Sequence, residues 1–201
     1  QDISLSLKES VEKKNLYAVD DIVTNSRSME LIKERIPMIA DTDSSVLIYG
    51  ETGTGKELVA QSIHTASKRR NKKFVSQNCA AIPGNLLESI LFGTTKGSYT
   101  GAENKPGLFE IASGGTLFLD EINSMEISVQ PKILKAIEEK QVVRLGGYEP
   151  IKTDIKIVSA VNENPLQCIA ENKLREDLFY RLSVVQLNIP PLRERINDLF
   201  Y

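Results

Sequence analysis

The residues best suited to chemistry stand in one short run, Gly50-Glu51-Thr52-Gly53-Thr54-Gly55-Lys56-Glu57, directly after the apolar stretch Val46–Tyr49. Gly50, Gly55 and Lys56 fit the spacing G-x-x-x-x-G-K, and a helical pattern follows through Leu58, Val59, Ala60 and Ile63. Strand, glycine loop and helix in that order make a cradle for phosphate. Glycines let backbone N–H groups turn inward around oxygens, and the helix N-terminus adds partial positive charge. Lys56 supplies a full charge for the outer phosphates. The expected ligand is a nucleoside triphosphate. An ordinary glycine-rich turn is the alternative, and spacing and context together count against it. Glu57 departs from the general pattern, which places Ser or Thr here to reach Mg²⁺. Either water and a distant carboxylate hold the metal, or this branch of the phosphate-loop proteins differs.

A second run, Gly114 to Glu121, reads as a buried strand that ends in two adjacent carboxylates, Asp120 and Glu121. In open α/β sheets, ligands sit beyond the carboxyl ends of the strands. Asp120 is then expected to organise Mg²⁺ through water. Glu121 is expected to polarise the attacking water as general base. Alone the pair would be a solvated acidic turn, but beside a phosphate loop it reads as hydrolytic. Asn78, after Phe74–Gln77, stands where it can hydrogen-bond Glu121 and hold it from water. Asn162, after Ile155–Ala160, stands where it can orient the water or the γ-phosphate. Each is equally an ordinary strand-end asparagine on residue type.

Arg175 and Arg181 lie six positions apart, well off one helical face, so they need not share a partner. Either can be lent to a neighbouring subunit to stabilise charge on a transferring phosphoryl group. The alternative is surface pairing with Glu176 or Asp177. Arg193 and Arg195 are expected to fix the chain leaving the domain. His64, the only histidine, has no candidate partner and reads as structural. Cys79 is expected to pack in the core beside Asn78.

These groups need a scaffold, and the hydrophobic pattern supplies one. Strand-like runs at Val46–Tyr49, Phe74–Gln77, Thr116–Asp120, Ile155–Ala160 and Val184–Asn188 alternate with helical patterns near 28–40, 57–68, 85–92, 128–140 and 174–182. Such alternation predicts an α/β fold with a parallel five-stranded sheet flanked by helices. Gly146-Gly147, between Val142–Arg144 and Pro150–Lys152, predicts a small surface hairpin. Residues 93–115, rich in Gly, Ser, Thr and Lys, read as a functional loop insertion. Residues 1–19 read as a linker from an upstream domain.

The chain has 201 residues and a net charge of −2. That length suits one α/β domain, and the charge gives no broad basic surface for direct DNA binding. Cys79 and Cys168 lack metal or redox spacing, so free thiols in a cytoplasmic protein are expected. No apolar stretch reaches membrane-span length.

Taken in order, these elements resemble the central AAA+ domain of bacterial enhancer-binding proteins, the activators of sigma-54 RNA polymerase. The likeness covers about residues 20–198, read as the ATPase subdomain. Residues 199–201 would begin a helical lid that lies outside the chain. The most specific motif is Gly97-Ser98-Tyr99-Thr100-Gly101-Ala102, where the family places G-A-F-T-G-A on a loop that engages sigma-54. The chain keeps Gly97, Thr100, Gly101 and Ala102, and carries Ser98 and Tyr99 in place of Ala and Phe. The family's phosphate loop also has Glu after the lysine, so Gly50, Glu51, Thr52, Gly53, Thr54, Gly55, Lys56 and Glu57 all carry over as nucleotide contacts. Asp120-Glu121 match its Walker B pair, Asn78 its glutamate-switch asparagine, and Arg175 and Arg181 its candidate arginine fingers. Ile22-Val23 fall where the family's backbone cups adenine. Val161-Asn162 stand where its first sensor has Thr-Asn. The tract from Gly93 to Ala102 is also similar to the subgroup regulating arginine catabolism in Gram-positive bacteria.

The resemblance implies ATP and Mg²⁺ as cofactors and a homo-oligomeric ring, hexamer or heptamer, as the active state. It implies sigma-54 holoenzyme as partner, with DNA bound by a domain outside this chain. A generic AAA+ unfoldase-type motor is the alternative. A docking module that uses nucleotide only as a switch is a third, and the intact Lys56, Asp120 and Glu121 argue against it.

Overall fold

The structure is a computed structural model that describes residues 16–80, 82–98, 101–196 and 198. The expected linker therefore lies mostly outside the described residues, as do Tyr99, Thr100 and the expected start of a lid at 199–201. In chain order the elements are α1 Arg27–Ala40, β1 Val46–Tyr49, α2 Lys56–Thr65, β2 Phe74–Asn78, α3 Gly84–Phe92, β3 Gly93–Thr94, β4 Lys105–Pro106 and α4 Leu108–Ile111. Next come β5 Thr116–Asp120, α5 Gln130–Glu139, β6 Gln141–Val142, β7 Ile151–Lys152, β8 Lys156–Val161, α6 Pro165–Ala170, α7 Glu176–Leu182 and β9 Val185–Asn188.

Five strands form one parallel sheet in the order β2–β5–β8–β1–β9. The inner strands are buried on both faces, which is why they read as continuous apolar runs. Alternate residues still serve opposite layers. Val46 and Ile48 join α1 and α2 through Ile32, Ile36, Val59 and Ile63. Leu47, Leu117 and Leu119 face the other layer, with Leu87 and Leu91 of α3, Ile133 of α5 and Leu178 and Leu182 of α7. The arrangement is that of an AAA+ P-loop NTPase.

Two buried polar groups tie these layers together. Lys156 opens β8 at 1% exposure. Its ammonium donates to the carbonyls of Ile39, at 2.8 Å, and Thr42, closing the C-terminal end of α1. Burial depresses its pKa to about 8, against the pull of Asp43. His64 does have a partner: Nδ1 lies 2.9 Å from Thr116 Oγ1, and the ring packs 5.4 Å from Phe74. Its role is structural, through a contact 52 residues away that spacing along the chain does not reveal.

The insertion is shorter than composition suggests. Gly93–Thr94 pairs antiparallel with Lys105–Pro106, so the excursion runs between those two short strands. Leu108 and Phe109 of α4 are buried in the main core. The predicted hairpin is present, with Gln141–Val142 paired to Ile151–Lys152. Its tip rests on the insertion: Leu145 accepts from Thr95 N–H at 3.0 Å, and Leu145 N–H donates to Gly93 at 3.0 Å. Gly146 has φ +74, and a Cβ there would come within 2.6 Å of Ser98 Cβ. Both backbone angle and space demand glycine at that contact. Arg144 grips Glu110 with two bonds, of 2.8 and 2.7 Å, and anchors the hairpin to α4.

Candidate functional site

The run Gly50–Gly55 joins β1 to α2. Gly53 and Gly55 take φ of +82° and +94°, and a Cβ at either would meet nothing within 4 Å. The left-handed backbone, not crowding, is what calls for glycine there. Thr54 closes the turn, with both its N–H (3.3 Å) and its hydroxyl (2.8 Å) donating to the Glu51 carbonyl. Lys56 folds back over the loop and donates to the carbonyls of Gly50, at 2.8 Å, and Glu51, at 3.0 Å. Burial lowers its pKa, while the carboxylates of Asp120 and Glu121 pull it back up. Glu57 stands in the first turn of the helix and accepts from Gln61 at 3.0 Å.

Asp120 ends β5, and β8 runs between that strand and β1. Two strand spacings put the acidic pair about 10 Å from the base of the loop, a gap suited to phosphates and a metal. Asp120 has its pKa raised by burial and lowered again by Lys56. Glu121 carries φ 52°, a left-handed conformation uncommon outside glycine. Its N–H donates to Asp120 Oδ1 at 2.9 Å. The chain therefore turns sharply between the two carboxylates, and such strain gathers at functional sites. Among the described residues no group of three or more His, Cys, Asp or Glu is arranged to hold a metal alone. An acidic strand end beside a phosphate cradle fits Mg²⁺ shared with phosphate oxygens and water.

Asn78 is brought to this centre as the register partner of Asp120. Its Oδ1 accepts from Ala80 N–H at 2.9 Å. Asn162 follows β8, between the acidic pair and the phosphate loop. Its Oδ1 accepts from Asn123 Nδ2 at 2.8 Å, and the same amide donates to Glu163 at 3.1 Å. Asn123 is buried and absent from the sequence reading. Its place just after Ile122 and the strand-ending carboxylates gives only a weak signal, since Ser124 and Glu126 close by are polar too.

The arginines fall into two groups. Arg175 and Arg181 do not meet the phosphate loop of their own chain. Arg175 makes a two-bond pair with Asp177, at 3.0 and 2.7 Å, and is well exposed. Arg181 reaches Ile137 O at 3.4 Å and lines a cavity with Asp43, Asp154 and Ile155, at the opposite ends of the strands. Arg193 and Arg195 do meet the loop. Arg193 pairs with Glu51 through two bonds of 2.7 Å, and Arg195 Nη2 donates to Thr54 O at 2.9 Å.

Ile22 is buried and Val23 is exposed, just after the 3₁₀ turn Val19–Asp21. Of the expected partner-contact motif, Gly97, Ser98, Gly101 and Ala102 are described and Tyr99 and Thr100 are not. Ala102 is buried, and Ser98 meets the second hairpin at Gly146. Cys79 is fully buried, and burial pushes its thiol up to about 12, so it packs and does not react.

The family model described as the sigma-54 interaction domain matches residues 22–188. The transcriptional activator RocR of Bacillus subtilis is 51% identical over 195 residues, covering 96% of this chain and 42% of that protein. The DNA-binding transcriptional activator HyfR of Escherichia coli is 45% identical over 203 residues, covering 96% and 30%. Among solved structures, NtrX from Brucella abortus in complex with ATP superposes with a TM-score of 0.82 at 41% identity, covering 89% of this chain and 40% of that one. The chain thus spans less than half the length of these relatives.

Proposed function

The chain belongs to the sigma-54 interaction domain family, and we propose that it is the ATP-hydrolysing part of a sigma-54-dependent transcriptional activator. One observation carries the reading: Lys56 on the phosphate loop and the pair Asp120-Glu121 sit across a single strand from each other and feel each other's charge. ATP with Mg²⁺ supplies the phosphoryl group and neutralises the charge that develops as it transfers. Inward N–H groups of Gly53, Gly55 and Lys56 hold the phosphates, and the Lys56 ammonium leaves the loop carbonyls to meet them. Thr52, beside them in the loop, shares that work. Asp120 would help to hold Mg²⁺ through water, and Glu121 would take the proton of the attacking water. Asn78 rotates from Ala80 to restrain Glu121 until hydrolysis, and Asn162 orients the water. Ile22 and Val23 offer backbone to adenine.

Arg175 or Arg181 completes this site from a neighbouring copy in a homo-oligomeric ring. Their separation from the phosphate loop of their own chain supports that assignment. The loop from Gly97 to Ala102, braced by the hairpin at Gly146, engages sigma-54, and hydrolysis moves it to remodel the closed polymerase–promoter complex. A cytoplasmic location follows from such a partner.

The test is ATP turnover and ATP affinity in the full-length protein. Glu121→Gln keeps its size but cannot accept a proton, so turnover should fall about 10²- to 10⁴-fold with affinity retained. Lys56→Ala should lose affinity. Turnover by Glu121→Gln equal to wild type would remove Glu121 from its role.

A further inference from the structure

We propose that Arg195 is a positioning residue for the phosphate loop, turning the Thr54–Gly55 peptide so that the Gly55 N–H faces the β-phosphate. The inference rests on the nucleotide reading above and assigns work to a residue outside the motif. Arg195 is 8% exposed. Its planar guanidinium reaches three acceptors at once: Nη2 to Thr54 O at 2.9 Å, Nε to Pro190 O at 3.0 Å, and Nη1 to Asp198 Oδ2 at 3.5 Å. A point charge such as lysine cannot span that fork.

The consequence is geometric. Among the described residues the peptide bonds are all trans. In a trans peptide the carbonyl and the following N–H point in opposite directions. Holding Thr54 C=O against Arg195 therefore aims the Gly55 N–H away from Arg195, with no backbone or side-chain acceptor for it among the described residues. The loop is tightly packed at its start, where a Cβ on Gly50 would come within 2.7 Å of Thr54 Oγ1 and 3.1 Å of Ile189 O. Gly55, with φ +94 and no Cβ, would otherwise let this peptide flip at little cost.

Asp198 locks the arginine in place. Burial opposes its ionisation, but Asn25 N–H, the Thr24 hydroxyl and the Arg195 charge outweigh that and hold its carboxyl below the usual value. The bonds from Thr24 are 2.9 and 2.8 Å and that from Asn25 is 2.7 Å. One buried pair thus connects the phosphate loop to the segment directly after Ile22-Val23.

The experiment compares ADP and AMP affinity, by calorimetry on the full-length protein, for wild type, Arg195→Met and Arg195→Lys. AMP lacks the β-phosphate, so the ratio of the two affinities isolates the contact in question. That ratio should fall about tenfold or more in Arg195→Met and by less in Arg195→Lys. The downfield shift of the Gly55 amide proton on adding ADP should shrink in parallel. If Arg195→Met does not fold, Arg195→Lys carries both readouts. An unchanged ratio, with ADP and AMP weakened together, makes Arg195 a packing residue and overturns the proposal. Absence of ADP binding by wild type overturns the nucleotide reading itself.

Discussion

Asn78 and Asp120 end neighbouring parallel strands as direct register partners, β2 against β5. The ladder continues one step further, with Cys79 N–H donating to Asp120 O at 2.9 Å. This fixes the asparagine beside the turn at which the left-handed Glu121 begins. Among the described residues the amide is engaged by its own turn alone, through Ala80, so a side-chain rotation can redirect it. Asn78→Ala should therefore leave ATP affinity little changed while removing the restraint on Glu121. Turnover should then persist, whereas sigma-54 binding should lose its dependence on nucleotide state. Parallel ATPase and sigma-54 pull-down assays check this, and intact nucleotide dependence in Asn78→Ala would refute it.

Arg175 and Arg181 make the assembly claim testable. Specific activity should rise steeply with protein concentration. Arg181→Ala alone should lose about 10³-fold or more of its turnover if it is the main finger. Mixing Arg181→Ala with Lys56→Ala subunits should restore part of the activity, because intact half-sites then meet. Light scattering beside the ATPase assay supplies the check. A concentration-independent rate from a monomer would leave Arg175 to its pair with Asp177.

Lys156 sets a pH dependence of stability. Its folded-state pKa of about 8 lies below the ordinary 10.5, so between those values the unfolded chain binds more protons. Stability from this group must then increase as pH rises from 8 toward 10.5, and is flat below 8. Lys156→Met should abolish that rise. It should also cost about 1–3 kcal/mol, because the Ile39 and Thr42 carbonyls lose their donor. Urea denaturation of both proteins at pH 7, 8, 9 and 10 reads the difference. Equal slopes would show that the lysine titrates normally.

The sheet was legible because parallel strands covered on both faces appear as uninterrupted apolar runs. Val46–Tyr49 and Thr116–Asp120 match residue for residue, β2 and β9 differ by one residue at one end, and β8 is shifted by one residue at both ends. Short elements left little trace. In α6 only Cys168 is buried, and α4 is a single turn inside a glycine-rich tract. The motif residues were legible because a phosphate loop constrains sequence locally. Asn123, Lys156 and Arg195 were not, or not in their role, since each owes its position to partners 39, 117 and 141 residues away. Arg193 and Arg195 were expected to secure the outgoing chain, and they do so by gripping Glu51 and Thr54 of the phosphate loop itself.

The central claim is that ATP chemistry at Lys56, Asp120 and Glu121 drives a loop that grips sigma-54. The most direct measurement is binding of purified sigma-54 to the full-length protein without nucleotide, with ADP, and with ADP plus a transition-state mimic of the γ-phosphate. The account predicts a stable complex only with the mimic. It also predicts loss of that complex, with turnover largely intact, in Tyr99→Ala and Thr100→Ala. An aromatic side chain that anchors in a partner's pocket is commonly worth about 2 kcal/mol or more. Tyr99→Phe should bind like wild type. Sigma-54 binding that ignores nucleotide, or that survives both alanine substitutions, would contradict the account and favour a generic remodelling motor.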